Sequence, residues 1–352
     1  MRDLLTSPLF SNTLDSLMCG IWEKLDNIKD GKLKTMAASL PNLLSSAYAD
    51  STLSKYKSAW KKWISWSSQF NEVTSCPADP FFIAIYLNDI VSKGGKIGTL
   101  ETAIQGIRWG HINSGFLTPT DLPFVKLALE GGKRIIARSG GKISRQKEPL
   151  DTELLKKIVQ NFGYTNNLID LRFVIICLLG FSGFMRISEI LSLKIKDISF
   201  VEEGLKVFVE TSKTDQLREG HIIHISKTGK ACCPVYWLKQ YLSIANLEFQ
   251  PESFLICRLA KTKVGHNAIG KYNISYSTIW SNFRDHLSVL TDDEKQYCTH
   301  SLRSGGASEA ANNDVTDRLI SKHGRWKSQG CRNRYIKDKP SKRFSVSKSL
   351  GI

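Results

Sequence analysis

The chain has 352 residues, long enough for two hydrophobic cores, and 41% of them are apolar, an ordinary share for a globular protein. Its 49 Lys and Arg against 33 Asp and Glu leave a formal net charge of +16, which favours polyanionic partners, nucleic acid first and an anionic membrane surface second. The longest apolar run, Phe173 to Gly183, is too short to cross a bilayer, and no segment near Met1 resembles a signal peptide, so a protein kept inside the cell is expected.

Residues 1–45 are mixed and read as a partly ordered arm, with a short helix expected around Leu14 to Leu25. From there the pattern sharpens. Ser51 or Asp50 is placed to cap a helix in which Leu53, Tyr56, Trp60 and Trp63 recur at spacings of three and four. That stripe turns inward and leaves Lys55, Lys57, Lys61 and Lys62 largely on the other side, as candidate DNA contacts. Pro80 opens "FFIAIYLNDIVSK", and "TLETAIQGIRWGHINSG" and "PFVKLALEGGKRI" follow, each a helix set off by Gly or Pro. These four helices make a small basic domain over residues 46–132.

Residues 133–149 carry Lys133, Arg134, Arg138, Lys142, Arg145 and Lys147 against a single acid, without an apolar period, and are expected to be a flexible basic linker. Such a segment can be a solvated tether or can lie along a phosphate backbone. A second domain, residues 150–338, opens with Asp151 as a helix cap and continues into a buried helix from Leu171 to Leu179. Two β-branched stretches, Leu205 to Thr211 and His221 to Ile225, form an antiparallel hairpin. Helices are expected around Pro234 to Ile244, Ser277 to Leu287 and Gly305 to Asn312. The fold class is therefore α+β, mostly α. A tail, residues 339–352, sets Phe344, Val346, Leu350 and Ile352 on a basic background and is expected to dock on a neighbouring copy.

Several chemistries fail on the residues. The eight cysteines are scattered and include no CxxC pair, so no disulfide framework is expected. His221 and His224 with Cys232 and Cys233 match no zinc spacing, and no metal or other cofactor is expected. There is no GxxxxGK[ST] loop, and "GFSGF" at Gly180 misses the GxSxG elbow. Acids are too sparse around the His- and Arg-rich regions for a two-metal nuclease. A phosphodiester enzyme without metal has to stabilise transition-state charge with Arg and Lys.

Such a set is spread through the second half. Arg186 is followed three residues on by Glu189, close enough to hold its guanidinium. Lys213 lies at the end of the first hairpin strand. His300 and Arg303 begin a helix that continues through Gly305, Gly306, Ala307 and Ala310, small residues that allow close approach to another backbone. Trp326 precedes Tyr335 by nine residues. Seen singly, these would be an ion pair, a turn lysine, a helix-capping histidine, a core indole and a half-buried tyrosine. Their joint occurrence in this order is what points to a site.

With an Arg-x-x-Glu box, a hairpin Lys, a His-x-x-Arg box, a Gly-x-Trp and a Tyr in that order, the chain resembles the tyrosine recombinase, or phage integrase, family. The resemblance covers the whole second half, and "HSLRSGGA" with "DRLISKHGRWKS" is most similar to recombinases of eukaryotic mobile elements of the crypton or DIRS type. It implies that residues 46–132 are the core-binding domain and residues 150–338 the catalytic domain of a C-shaped clamp on duplex DNA. It also implies that Tyr335 is the nucleophile forming a 3′-phosphotyrosine, with Arg186 and Arg303 on the non-bridging oxygens, Lys213 as proton donor to the leaving 5′-oxygen and His300 assisting proton transfer. Trp326 stands where many members have a histidine and would orient and pack; Glu189 supports Arg186. His323 and Arg325 join the expected DNA contacts.

The implied partner is a double-stranded DNA recombination site, bound by two protomers per site and four per synapse, with exchange through a Holliday junction. A eukaryotic mobile element places the protein in the nucleus, a bacterial host in the cytoplasm or nucleoid. Two other functions use the same residue types: a type IB topoisomerase that only relaxes strands, and a domesticated DNA-binding protein that has lost catalysis.

Overall fold

The computed structural model describes residues 20–140, 146–210, 220–263 and 265–352. They fall into two compact units that part between Arg145 and Gln146. No helix among the described residues is long and apolar enough to cross a membrane.

The first unit is helical. A 3-10 turn, Gly20–Leu25, precedes α1 (Gly31–Ala38), α2 (Leu40–Ser45), α3 (Asp50–Ser67), α4 (Pro80–Ser92), α5 (Ile97–Asn113) and α6 (Pro123–Arg138). Helix α3 is capped at Ala49, one residue earlier than expected, and Asp50 occupies its first turn, where a carboxylate meets the positive end of the helix. The indoles of Trp60, Trp63 and Trp66 build the core with Ile83, Leu87, Leu100 and Ile107. Helices α3 and α5 pack closely because Gly106 lies on the Ala59 backbone and Gly110 on the Trp60 ring, where a β-carbon has no room. His111, with no exposed surface, accepts from the Ala78 N–H at 2.8 Å and donates through Nδ1 to the Ile107 carbonyl at 2.7 Å.

Two expectations for this half change. The stretch expected as an arm carries α1 and α2, and the buried Trp22 donates through Nε1 to the Asn113 carbonyl at 2.5 Å. Lys133, Arg134 and Arg138, placed at the head of the linker, stand in the last turns of α6. The helix persists because Val125, Leu129 and Ile136 continue its apolar stripe onto the tryptophan core, with Gly132 against Leu100 and Val91.

The second unit comprises α7 (Thr152–Phe162), α8 (Leu168–Ser182), α9 (Ile187–Ser192), β1 (Ile198–Val201), β2 (Gly204–Val209), β3 (His221–Ser226), α10 (Pro234–Ile244), β4 (Cys257–Thr262), β5 (Gly265–Asn273), α11 (Tyr276–Ser288), α12 (Thr299–Asn312), α13 (Asp317–Gly324), α14 (Gln329–Asn333) and α15 (Pro340–Lys348). Asp151 caps α7, accepting from the Leu154 N–H at 2.7 Å. Helix α8 is apolar on nearly every face because it is enclosed, buried from Leu171 to Gly180. The hairpin pairs antiparallel with Val207 opposite Ile223, and β1, absent from the sequence reading, adds a third strand beside β2. A second ribbon, β4 with β5, was also unforeseen, since its strands are polar and show no apolar alternation.

Helix α12 begins at Thr299, one residue before His300, and lies tightly on the unit's first residues and on the end of α8. A β-carbon at Gly305 would collide with the Leu150 carbonyl, and one at Gly306 with the Phe181 carbonyl. This close approach brings the start of α12 beside the turn that carries Arg186.

Candidate active site

Phe184, Met185 and Arg186 follow α8, and Phe184 is held at a positive φ of 46°. Arg186 then caps α9. Glu189, in the first turn, reaches back so that its Oε2 accepts from the Arg186 N–H at 2.9 Å and its Oε1 from the Arg186 guanidinium at 2.7 Å. Glu189 is 2% exposed, and a carboxylate that far from water persists only with charged donors around it. Those donors include a second arginine: Arg325 Nη2 lies 2.6 Å from Glu189 Oε2. A third, Arg303 Nη1, stands 4.0 Å from the same oxygen.

Arg303 is fully buried on α12 and spans the site from below. Its Nη1 donates to the Phe184 carbonyl and its Nη2 to the Gly324 carbonyl, while Nε has no partner among the described residues. Its guanidinium carbon lies 4.6 Å from the Trp326 ring centre and 5.2 Å from that of Tyr335, so one cation underlies two aromatic rings. Burial, together with the charges of Arg186 and Arg325, pulls the Arg303 pKa down to about 10, which still leaves it a cation at neutral pH.

Helix α13 ends on Arg325, which takes the left-handed conformation with φ 57° and so turns the chain back into the core. Gly324 is required there, because a β-carbon would enter the Trp326 ring. Trp326 is 8% exposed, its Nε1 buried without a partner among the described residues, and its ring centre 5.2 Å from that of Tyr335. Tyr335 follows α14 in a turn whose backbone is tied to α12: the Ser308 hydroxyl donates to the Tyr335 carbonyl at 3.2 Å and accepts from the Lys337 N–H at 2.9 Å. Arg332, buried under α14, anchors that helix to Asp317 of α13 at 2.8 Å.

Arg186, Arg303, Trp326 and Tyr335 thus converge within one unit, and Glu189 lies beneath them. His300 sits exposed in the first turn of α12, with its ring centre 6.4 Å from that of Tyr335. Lys213 lies outside the described residues, as do Lys142 and Arg145. Arg325, expected among the DNA contacts, is instead part of the buried cluster, and Phe184, Ser308 and Arg332 were not singled out from the sequence at all. His323 donates to the Ser182 carbonyl at 2.8 Å and packs edge-on against Phe184, and burial pushes its pKa down.

The candidate DNA contacts of the first unit divide. Lys57, Lys61 and Lys62 line a groove of about 750 Å³ with Ser54, Ser58 and Trp66, and Lys55 is exposed on the same helix. Partial burial and the neighbouring Lys61 lower the Lys57 pKa. Lys133 is ion-paired with Glu130 at 2.9 Å and Glu101 at 3.2 Å, whereas Arg134 and Arg138 are exposed. Lys147 belongs to the second unit, where it donates to the Lys295 carbonyl.

A family model described as the phage integrase family matches residues 148–342, which contain every member of the cluster. The chain belongs to this family. It is 30% identical over 297 residues to the integrase/recombinase xerD homolog of Selenomonas ruminantium, covering 83% of each chain. It is 22% identical over 315 residues to Recombinase cre of Escherichia phage P1, covering 86% of this chain and 89% of that one. Among solved structures, a XerH site-specific recombinase in a post-cleavage complex with its palindromic difH substrate aligns with a TM-score of 0.57 at 15% identity, over 85% of this chain and 79% of that chain. A lambda integrase dimer bound to a COC′ core site aligns with a TM-score of 0.50 at 17% identity, over 85% and 93% of the two chains. These two alignments show that the fold is shared.

Proposed function

We propose that this chain is a site-specific DNA recombinase in which Tyr335 attacks the scissile phosphorus. The Tyr335–phosphorus bond forms as the bond to the 5′-oxygen breaks, leaving a 3′-phosphotyrosine and a free 5′-hydroxyl. Attack by the 5′-hydroxyl of a second duplex reverses the step, and because the ester bond is conserved no nucleotide is consumed. The observation that carries this reading is the convergence of two arginines and an indole around one tyrosine, with the guanidinium of Arg303 5.2 Å from the tyrosine ring.

Each residue has work suited to its chemistry. Arg186, 12% exposed and oriented by Glu189, offers a planar fork of donors to the non-bridging oxygens. Arg303 Nε and Trp326 Nε1, which have no partner among the described residues, are further donors in the side chains that lie beside the tyrosine ring. Lys213 gives a proton to the departing 5′-oxygen, and His300 moves the proton of Tyr335. Phosphodiester cleavage needs on the order of 20 kcal/mol of barrier lowering, and a single oxyanion donor supplies roughly 3 to 4, so convergence is necessary.

The first unit's lysine groove binds the flanking duplex through its phosphates, and the natural substrate is a pair of recombination sites used for integration or excision of a mobile element, placing the protein in the compartment that holds its host's DNA. Two protomers bind each site and four form the synapse. The tail docks on a neighbouring protomer through Phe344, Val346, Leu350 and Ile352, all more than 60% exposed on α15 and beyond it. A chain ending at Asp338 should bind DNA yet lose the four-protomer complex in sedimentation; retention of that complex would remove the tail's role.

The test of the function is strand transfer between two duplexes of different length and label, both carrying a sequence enriched from a random pool by binding to the full chain. A recombinase yields hybrid-length labelled strands. Nicking and resealing of supercoiled plasmid without hybrids would point to strand relaxation alone.

A further inference from the structure

The mechanism above uses Arg186 and Arg303 but leaves Arg325 without a task, although its side chain is 6% exposed and meets the same carboxylate. Glu189 is shared unequally. Its Oε1 takes Arg186 at 2.7 Å, and its Oε2 takes Arg325 at 2.6 Å, while Arg303 stays 4.0 Å from Oε2 and spends its Nη1 on the Phe184 carbonyl. Arg325 is fixed in this place by its own backbone, since the left-handed turn at φ 57° aims it back under α9, and its Nη2 also lies 3.4 Å from the Phe184 carbonyl.

We infer that Arg325 is a positioning residue for strand cleavage: it saturates Glu189 and thereby keeps that carboxylate from capturing Arg303. A buried carboxylate that loses one charged donor draws in the next cation within reach. Here that cation is Arg303, whose guanidinium would be pulled away from Trp326 and Tyr335 toward α9. Three guanidiniums against one carboxylate also leave the cluster with a double positive excess, matched to a phosphodiester gaining charge as it is attacked. Without Arg325 the excess falls to a single charge at the moment it is needed.

This inference rests on the recombinase reading, and the experiment separates the two. Full-length protein is mixed with a centrally nicked duplex of the enriched sequence, and the rate of covalent adduct formation is measured in a single turnover. If the wild type forms no adduct, the recombinase reading itself fails. If it does, Arg325→Met is expected to slow the adduct at least tenfold with duplex binding unchanged in a gel shift. Glu189→Gln alone is measured as well, because Glu189 also orients Arg186; with the captor gone, Arg325→Met should slow the Glu189→Gln protein at least fivefold less than it slows the wild type. A merely structural arginine would cost the same in both backgrounds. Should Arg325→Met not fold, Arg325→Lys and Arg325→Gln are compared, and the charged variant is expected to react at least tenfold faster. Equal rates for wild type and Arg325→Met, an equal loss from Arg325→Met in the wild-type and Glu189→Gln backgrounds, or equal rates for the lysine and glutamine variants would overturn the inference.

Discussion

The indole of Trp326 lies on the guanidinium of Arg303 and beside the ring of Tyr335, with its N–H buried and without a partner among the described residues. A burial of that kind costs free energy unless a substrate oxygen completes the hydrogen bond. Trp326→Phe keeps an aromatic face but removes the donor and leaves a void in the core, so duplex binding should change little and the melting temperature should fall, while adduct formation at a temperature where the variant is folded slows about tenfold or more. An unchanged rate in that variant would make Trp326 a packing residue only. At this scale the sequence was legible where partners are close in the chain. Glu189 follows Arg186 by three residues, and the spacing of His300, Arg303, Trp326 and Tyr335 can be read directly. Arg325 could not be placed that way, because its carboxylate partner is 136 residues upstream and nothing local marks a buried guanidinium.

Helices α3, α4, α5, α7, α8, α10 and α11 follow from caps, proline starts and apolar period, which are local signals. Strands β1, β4 and β5 did not, since four-residue or polar strands show no alternation, and the end of α6 was obscured by lysines and arginines facing solvent. The hold of α5 on the segment just before α4 carries a pH dependence. His111 accepts from Ala78 through Nε2, so only its neutral form fits, and burial lowers its pKa from the ordinary value of 6.5. Below that pH the unfolded chain takes up a proton that the folded chain refuses. Stability is therefore lost as pH falls from 6.5 toward the lowered value, at up to about 1.4 kcal/mol per pH unit. His111→Gln can still accept from Ala78 and donate to Ile107 but cannot titrate. Thermal unfolding at pH 7.5 and 5.5 should show a smaller loss for His111→Gln than for the wild type; equal losses would rule this histidine out as a source of acid sensitivity.

For the whole molecule, the net charge of +16 and the lysine groove of the first unit suit a polyanion, and the second unit supplies chemistry that needs one. Among the described residues, the parts of the site come from four places in the chain, the turn before α9, the start of α12, the end of α13 and the turn after α14, and only tertiary packing unites them. The glycines of α12 make that packing dense enough for one buried arginine to reach both Phe184 and Gly324. Strand exchange by this chain requires Tyr335 to become covalently joined to DNA. The direct measurement is a denaturing gel of full-length protein trapped on a nicked duplex of the enriched sequence, followed by mass spectrometry of the adducted peptide. The expected result is a DNA-linked species mapped to Tyr335 for the wild type and none for Tyr335→Phe, with equal duplex binding. An adduct at another residue, or wild type and Tyr335→Phe behaving alike, would contradict it.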